Sequence, residues 1–263
     1  MKIKLTILGC GDSAGVPAIG NYWGDCDPAE PKNRRSRASI VVRSETTTLL
    51  VDTGPDLREQ ANRAGLEQVD AVLYSHTHSD HVNGIDEIRT YNKRAGFTIT
   101  PVYGTQETIR DLTHRFDYLF EAKNNLYPVV LDPRILGADM MGKPMTIGNI
   151  TFTPFLQDHG TCESLGFRFG DIAYSTDMVR LPEDSLDVLK GIKTWIVDVS
   201  GYKMKKNVVH CTLENVYALN EKVGAEMVYL THLPAYVDYQ TLADEVPTGY
   251  APAYDGLEFA IDV

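Results

Sequence analysis

Short apolar runs closed by glycine, proline and polar turns recur along the chain, and between them apolar residues return at helical spacing. Residues 2–8 alternate polar and apolar and predict a strand, followed by the glycine-rich loop 9–20. That loop lacks the lysine of a phosphate-cradling P-loop and opens into no obvious helix, so its glycines read as turn formers. Residues 38–42 and 47–51 predict two strands joined at Ser44-Glu45 and ending at Asp52-Thr53-Gly54. A helix is expected over 57–64, a buried strand over 72–74, and a further helix where Ile85, Ile88 and Tyr91 recur. A short strand over 102–104 and a helix over 106–116 come next. Residues 116–142 read as an irregular insertion whose aromatics, Tyr118, Phe120 and Tyr127, are assigned to packing. Strands return after Thr146, at 150–155, 165–169, 172–175, 195–199 and 227–230, with helices at 185–190 and 213–223. No repeat, low-complexity tract or linker interrupts this pattern, and residues 1–263 are expected to form one domain.

Composition narrows the field. At 263 residues and 43% hydrophobic content the chain can build a large core. The formal charge of -11 disfavours long nucleic acid as a partner, since that would call for a basic stripe. It does not argue against a small anionic substrate, because bound divalent ions dominate a local field. No run of roughly 18 apolar residues is present, so a membrane partner is not expected. The start, with Asp12 and no signal-peptide core, predicts a cytoplasmic protein. Cys10, Cys26, Cys162 and Cys211 are spread widely and read as reduced thiols. A homodimer is left open.

The densest chemistry follows the strand at 72–74. His76-Thr77-His78-Ser79-Asp80-His81 gathers three histidines and a carboxylate within six positions. On an extended segment His76 and His78 point to one side. Asp80 and His81 fall where the backbone turns into a helix, and so aim elsewhere, toward a second ion. Each ion needs more ligands, and later strand ends supply them: His159 after 150–155, Asp177 after 172–175 and His232 after 227–230. Asp177, with two oxygens, suits a bridge.

The motif His76-Thr77-His78-Ser79-Asp80-His81, with Asp52, His159, Asp177 and His232 in that order, resembles the metallo-β-lactamase superfamily, which implies a four-layer αββα sandwich with a two-metal site at its edge. More narrowly, residues 11–17, 33–39 and 252–257 are similar to the PhnP-type phosphodiesterases, which act on cyclic ribose phosphates. The resemblance implies that one ion takes His76, His78 and His159, the other Asp80, His81 and His232, with Asp177 between them. Two divalent ions, zinc or manganese, fit this donor mix. Asp80 and Asp52 enter the catalytic set, Asp52 by orienting a ligating histidine. His210, just before a helix, resembles the histidine that phosphodiesterase branches place opposite the metals, where it can protonate a leaving alkoxide after hydroxide attack. Ser13, Arg34, Arg35 and Arg37 are candidate phosphate contacts. His114 reads as surface. The chain departs from the PhnP pattern where that family holds a structural zinc: those positions are Asn21, Trp23, Cys26 and Ala235, and one thiol cannot make a four-ligand site. Tyr22 and Trp23 are expected to hold this loop by packing. The expected activity is hydrolysis of a small cyclic or nucleotide-like phosphodiester. Thioester or lactone hydrolysis on the same fold, or nucleotide binding without turnover, are the alternatives.

Overall fold

In a computed structural model, which describes residues 3–122 and 128–261, the predicted strands assemble into two seven-stranded sheets. Lys2 and Tyr127, included in the readings above, lie outside the described residues. The first sheet contains β1 (Ile3–Gly9), β2 (Ser39–Arg43), β3 (Thr48–Val51), β4 (Ala71–Leu73), β5 (Thr100–Gly104) and β6 (Leu131–Ile135). The second contains β7 (Met145–Ile147), β8 (Ile150–Asp158), β9 (Glu163–Phe169), β10 (Ile172–Ser175), β11 (Thr194–Asp198), β12 (Met227–Thr231) and β13 (Tyr250–Pro252). The last strand, β14 (Glu258–Ile261), returns to pair antiparallel with β1 at the edge of the first sheet.

The apolar runs of the inner strands are continuous because those strands are covered on both faces. Along β2, Ile40 and Val42 enter the core between the sheets, while Val41 faces the outer layer. In β11 Ile196 joins the central core, and Trp195 and Val197 face the other outer layer. On the first sheet that layer is built from α1 (Leu57–Arg63), α3 (Ile88–Arg94) and α4 (Gln106–Arg115), preceded by the one-turn α2 (Ser79–Val82) and followed by α5 (Asp117–Phe120). On the second sheet, α6 (Glu183–Leu189), α7 (Leu213–Val223) and α8 (Tyr239–Glu245) supply it. The result is the expected αββα sandwich. Among the described residues no helix is long and apolar enough to cross a membrane.

The stretch read as an irregular insertion is more ordered than its sequence indicates. It carries α5 and the edge strand β6, which pairs parallel with β5 from Thr100↔Leu131 to Gly104↔Ile135. Pro133 hides β6 from a pattern search, since proline is tolerated only where a strand lacks a neighbour on one side. The Tyr118 hydroxyl donates to Asp86 Oδ2 at 2.6 Å, and Phe120 packs on the outer core, so both aromatics support the layer.

What matters for the site is register. Strands β3 and β4 run parallel with Val51 opposite Leu73, and β10, β11 and β12 run parallel with Ser175 opposite Val197 and Asp198 opposite Thr231. Residues just past these ends therefore collect along one edge of the sandwich. There the Leu165 amide donates to the Ser75 carbonyl at 2.9 Å, joining the two sheets.

Candidate metal centre

At that edge the backbone bends sharply to turn side chains inward. Asp52, Asp177 and His232 follow β3, β10 and β12 with φ of 63°, 49° and 59°, in the left-handed region that residues other than glycine seldom adopt. Such conformations concentrate where function holds them. His76 and His78 leave β4 on extended backbone, and Asp80 and His81 lie in α2. His159 sits in the turn between β8 and β9.

The structure brings all seven expected ligands together. Nitrogen and oxygen atoms of His76, His78, His159 and Asp177 lie within 4.8 Å of one another, as do those of Asp80, His81 and His232. Asp177 faces both groups. Its Oδ1 is 3.5 Å from His159 Nε2 and 4.0 Å from His76 Nε2, while its Oδ2 is 3.1 Å from His81 Nε2 and 3.3 Å from His232 Nε2. Asp80 Oδ2 stands 3.2 Å from His81 Nε2.

Hydrogen bonds at the back of the rings fix which nitrogen faces inward. Asp52, fully buried, accepts from the Ser75 amide at 2.8 Å, the Ser75 hydroxyl at 2.7 Å and His81 Nδ1 at 2.7 Å. Because the single hydroxyl proton of Ser75 goes to Asp52, Ser75 Oγ accepts from His76 Nδ1 at 3.0 Å. His159 Nδ1 donates to the Val209 carbonyl at 2.8 Å. Each of these rings thus carries its Nδ1 proton outward and turns Nε2 to the centre. The Nε2 atoms of His76 and His81, and both ring nitrogens of His232, are buried without a hydrogen-bond partner. Orphaned buried nitrogens are costly unless something binds them. A divalent cation fits this donor set.

Electrostatics point the same way. Burial pushes His76 well below the ordinary histidine range, so it is a neutral donor. At His81 and His232 burial also opposes charge, but the carboxylates prevail: Asp177, Asp52 and Asp80 hold His81 well above its usual value, and Asp177, Asp80 and Asp198 push His232 up to about 9. Asp177 is itself held well below the carboxylate range by His232 and His81, against the opposing effect of its burial. In the metal-free protein, protons on these rings occupy the place of the cation's charge.

His210 lies against this cluster, its ring centroid 5.0 Å from that of His159 and 5.1 Å from that of His232. Its partner is a residue that sequence reasoning missed. Asp198, fully buried, accepts from His210 Nδ1 at 2.7 Å, the Ser200 amide at 2.8 Å and the Met178 amide at 3.1 Å. Asp198 stands behind His210 as Asp52 stands behind His81. A lone carboxylate closing the apolar stretch Trp195-Ile196-Val197 was the signal available.

The expected phosphate contacts separate. Arg35 is a correction: it is 2% exposed and its guanidinium donates to the Val237 carbonyl at 2.8 Å, the Pro234 carbonyl at 3.3 Å and Asn33 Oδ1 at 2.9 Å. A guanidinium so engaged has no face for substrate. Arg37 pairs with Asp56 at 2.9 Å and, with Ser13 and Tyr22, lines an open groove of about 570 Å³. Arg34 lies over the Trp23 ring, 5.2 Å from its centroid. His114 is exposed, as expected.

The loop around Cys26 needs a second correction. Tyr22 is 64% exposed and does not hold it by packing, and Trp23 is only half-buried. Buried polar contacts take that role. Besides Arg35, the Cys26 thiol donates to the Val237 carbonyl at 3.3 Å, the Asp25 amide to the Ala235 carbonyl at 2.9 Å and Asn33 Nδ2 to Asp238 Oδ2 at 2.6 Å. These contacts tie residues 25–35 to the segment immediately after His232.

Comparison with known proteins agrees with the geometry. Residues 47–233 match the Beta-lactamase superfamily domain. The chain belongs to the beta-lactamase superfamily. Within it, the crystal structure of a diphosphatase from the PhnP family superposes with a TM-score of 0.87 at 32% identity, covering 100% of this chain and 99% of that one. The probable metallo-hydrolase YhfI of Bacillus subtilis is 23% identical over 94% of this chain and 93% of its own length. A Porphyromonas gingivalis protein named Octanoyltransferase is 30% identical over 99% of this chain, yet only 52% of that protein is matched. The chain thus spans about half the length of that curated relative. It is a superfamily member that resembles PhnP, with histidines and carboxylates clustered as a divalent-metal site requires.

Proposed function

We propose that this protein is a metal-dependent hydrolase, a phosphodiesterase acting on a small cyclic or nucleotide-like phosphodiester. His76, His78 and His159 would hold one divalent ion, Asp80, His81 and His232 a second, and Asp177 would serve both, as zinc or manganese. Such ions lower the pKa of water and neutralise charge gathering on phosphorus.

The observation that carries the reading is His210. It is not needed to complete either donor set, it stands beside Asp177 and His232 with a ring nitrogen within 4.8 Å of a carboxylate oxygen of the first and a ring nitrogen of the second, and its Nδ1 is held by Asp198. Burial disfavours its charged form, but the Asp198 carboxylate outweighs that and raises its pKa above the histidine norm. A protonated imidazole at this position would deliver its proton to a departing alkoxide, a poor leaving group without it. Thioester cleavage has less use for that proton, because a thiolate leaves unassisted more readily than an alkoxide.

The name of the Porphyromonas gingivalis relative favours acyl chemistry as a second reading, with the weight of a match to half of that protein. One experiment separates the two. Metal content is measured, and the loaded protein is then offered bis(p-nitrophenyl) phosphate, a cyclic nucleotide and an acyl thioester in parallel. Phosphodiester turnover that disappears on chelation is expected; turnover of the thioester alone would reject the proposal.

A further inference from the structure

Most arginines of this chain are committed by the fold: Arg35 and Arg168 donate to carbonyls, and Arg37 and Arg180 pair with aspartates. Arg58 and Arg94 are exposed and make no hydrogen bond or ion pair among the described residues. Both line one groove of about 370 Å³ between α1 and α3 in the outer layer. Its floor is apolar, formed by the buried side chains of Leu57, Leu66 and Tyr91. Glu87 is the one carboxylate among the lining residues, so the groove is net positive on a chain of net charge -11. Two guanidiniums facing one groove suit a doubly charged oxyanion, because each offers a fork of donors to a pair of oxygens. The apolar floor gives an organic body a place to rest.

The backbone ties this groove to the metal centre. α1 follows the turn that begins at Asp52, and α3 follows the segment that carries Asp80 and His81. The two segments are laced together: the Thr53 amide donates to the His81 carbonyl and the Gly84 amide to the Thr53 carbonyl, both at 2.7 Å. A Cβ at Gly84 would strike the Gly54 carbonyl and one at Gly54 the Asp80 carbonyl, so the crossing closes only on glycine. The helices that wall the groove are thus continuations of one braced unit, with Asp52 and its partner His81 at the other end.

We infer that the groove between α1 and α3 is an accessory site for a small organic phosphate monoester, with Arg58 and Arg94 binding the phosphate, and that a molecule bridging the two helices steadies Asp52 against His81. The site stands apart from the metal centre and does not depend on the phosphodiesterase reading. Coupling of this kind is reciprocal, so a groove ligand strengthens the hold of His81 on a metal ion.

The test is calorimetric titration of the metal-loaded protein with phenyl phosphate at about pH 8, where the monoester is doubly charged. The wild type should show two binding events, one at the metals and one in the groove. Arg58→Gln/Arg94→Gln keeps good helix formers at exposed positions, and should weaken one event by about tenfold for each guanidinium removed while leaving the other unchanged. Lys143→Gln/Lys222→Gln, equal in charge and exposed away from the groove, should retain both. A single event in the wild type, full persistence of both in the arginine pair, or equal weakening in the lysine pair overturns the site. Release of zinc to a chromophoric chelator is then followed with and without phenyl phosphate. Greater slowing in the wild type than in the arginine pair is expected, and equal slowing rejects the coupling.

Discussion

Replacing Asp198 by asparagine tests the assignment of His210 most directly. The carboxylate accepts three hydrogen bonds, from His210 Nδ1, the Ser200 amide and the Met178 amide. An asparagine offers one oxygen and one NH2, so whichever way it turns, either the Ser200 amide on one side or His210 and Met178 on the other lose their acceptor. The stability cost of one unsatisfied buried amide is about 1–3 kcal/mol, tolerable for a domain of this size. The catalytic cost is separate. General-acid assistance contributes about 10²–10⁴ in rate, and a hundredfold loss corresponds to about 2.7 kcal/mol of barrier. It matters only where the departing oxygen needs a proton. Asp198→Asn and His210→Ala should therefore reduce kcat by about 10²–10³ for an alkyl phosphodiester such as a cyclic nucleotide, and by less than about tenfold for a nitrophenyl ester, whose phenolate leaves unaided. The double variant should be no worse than His210→Ala, because Asp198 acts through that imidazole. The assay is steady-state turnover on both substrate types, with metal content measured for every variant. Equal losses on both leaving groups, or losses that add in the double variant, would refute proton donation and leave His210 with a structural role.

Further predictions address the metals and the scaffold. Asp52→Asn removes the acceptor behind His81 and should weaken metal binding about 10–100-fold, read by competition with a chromophoric chelator. In the metal-free protein His81 and His232 have folded pKa values above their unfolded ones, so their stabilising effect is complete below the ordinary histidine pKa and is lost as pH rises through the folded values, about 9 for His232. The Tm of the chelated protein should accordingly fall between pH 7 and pH 9, while the metal-loaded protein should not follow it, because cation binding displaces those protons. A flat Tm in the chelated form would contradict the electrostatic picture of the centre. Arg35→Met strips a charged donor from two carbonyls and Asn33, and should destabilise by about 1–3 kcal/mol for each acceptor left bare, read in denaturant titration. Arg35→Lys should recover little of this, because an ammonium cannot span the same forked acceptors.

How much of this was legible in the sequence follows from where each residue gets its meaning. Asp52, His76, Asp177 and His232 were readable because each is a polar residue at or just past the end of an apolar run, and parallel register turns that one-dimensional position into a shared edge, which His159 reaches from the end of the antiparallel β8. The αββα layering was readable for a similar reason, since runs without alternation signal strands covered on both faces. Asp198 failed the same test by one position: it is the last residue of β11 rather than the first after it, and was absorbed into the strand. β6 was lost to Pro133, and the role of Arg35 to the loop around it, where no periodicity indicates which way a side chain points. Position relative to a strand end is local information, whereas the choice between binding a substrate and binding the fold is not. Arg34 and Arg35 are neighbouring cations, and only the acceptors around Arg35, two carbonyls from the segment after His232 and the amide oxygen of Asn33, commit it to the scaffold. By the same criterion Arg34, exposed and resting on the Trp23 ring with no hydrogen-bond acceptor among the described residues, is the member of the arginine run that the fold leaves free to meet a phosphate.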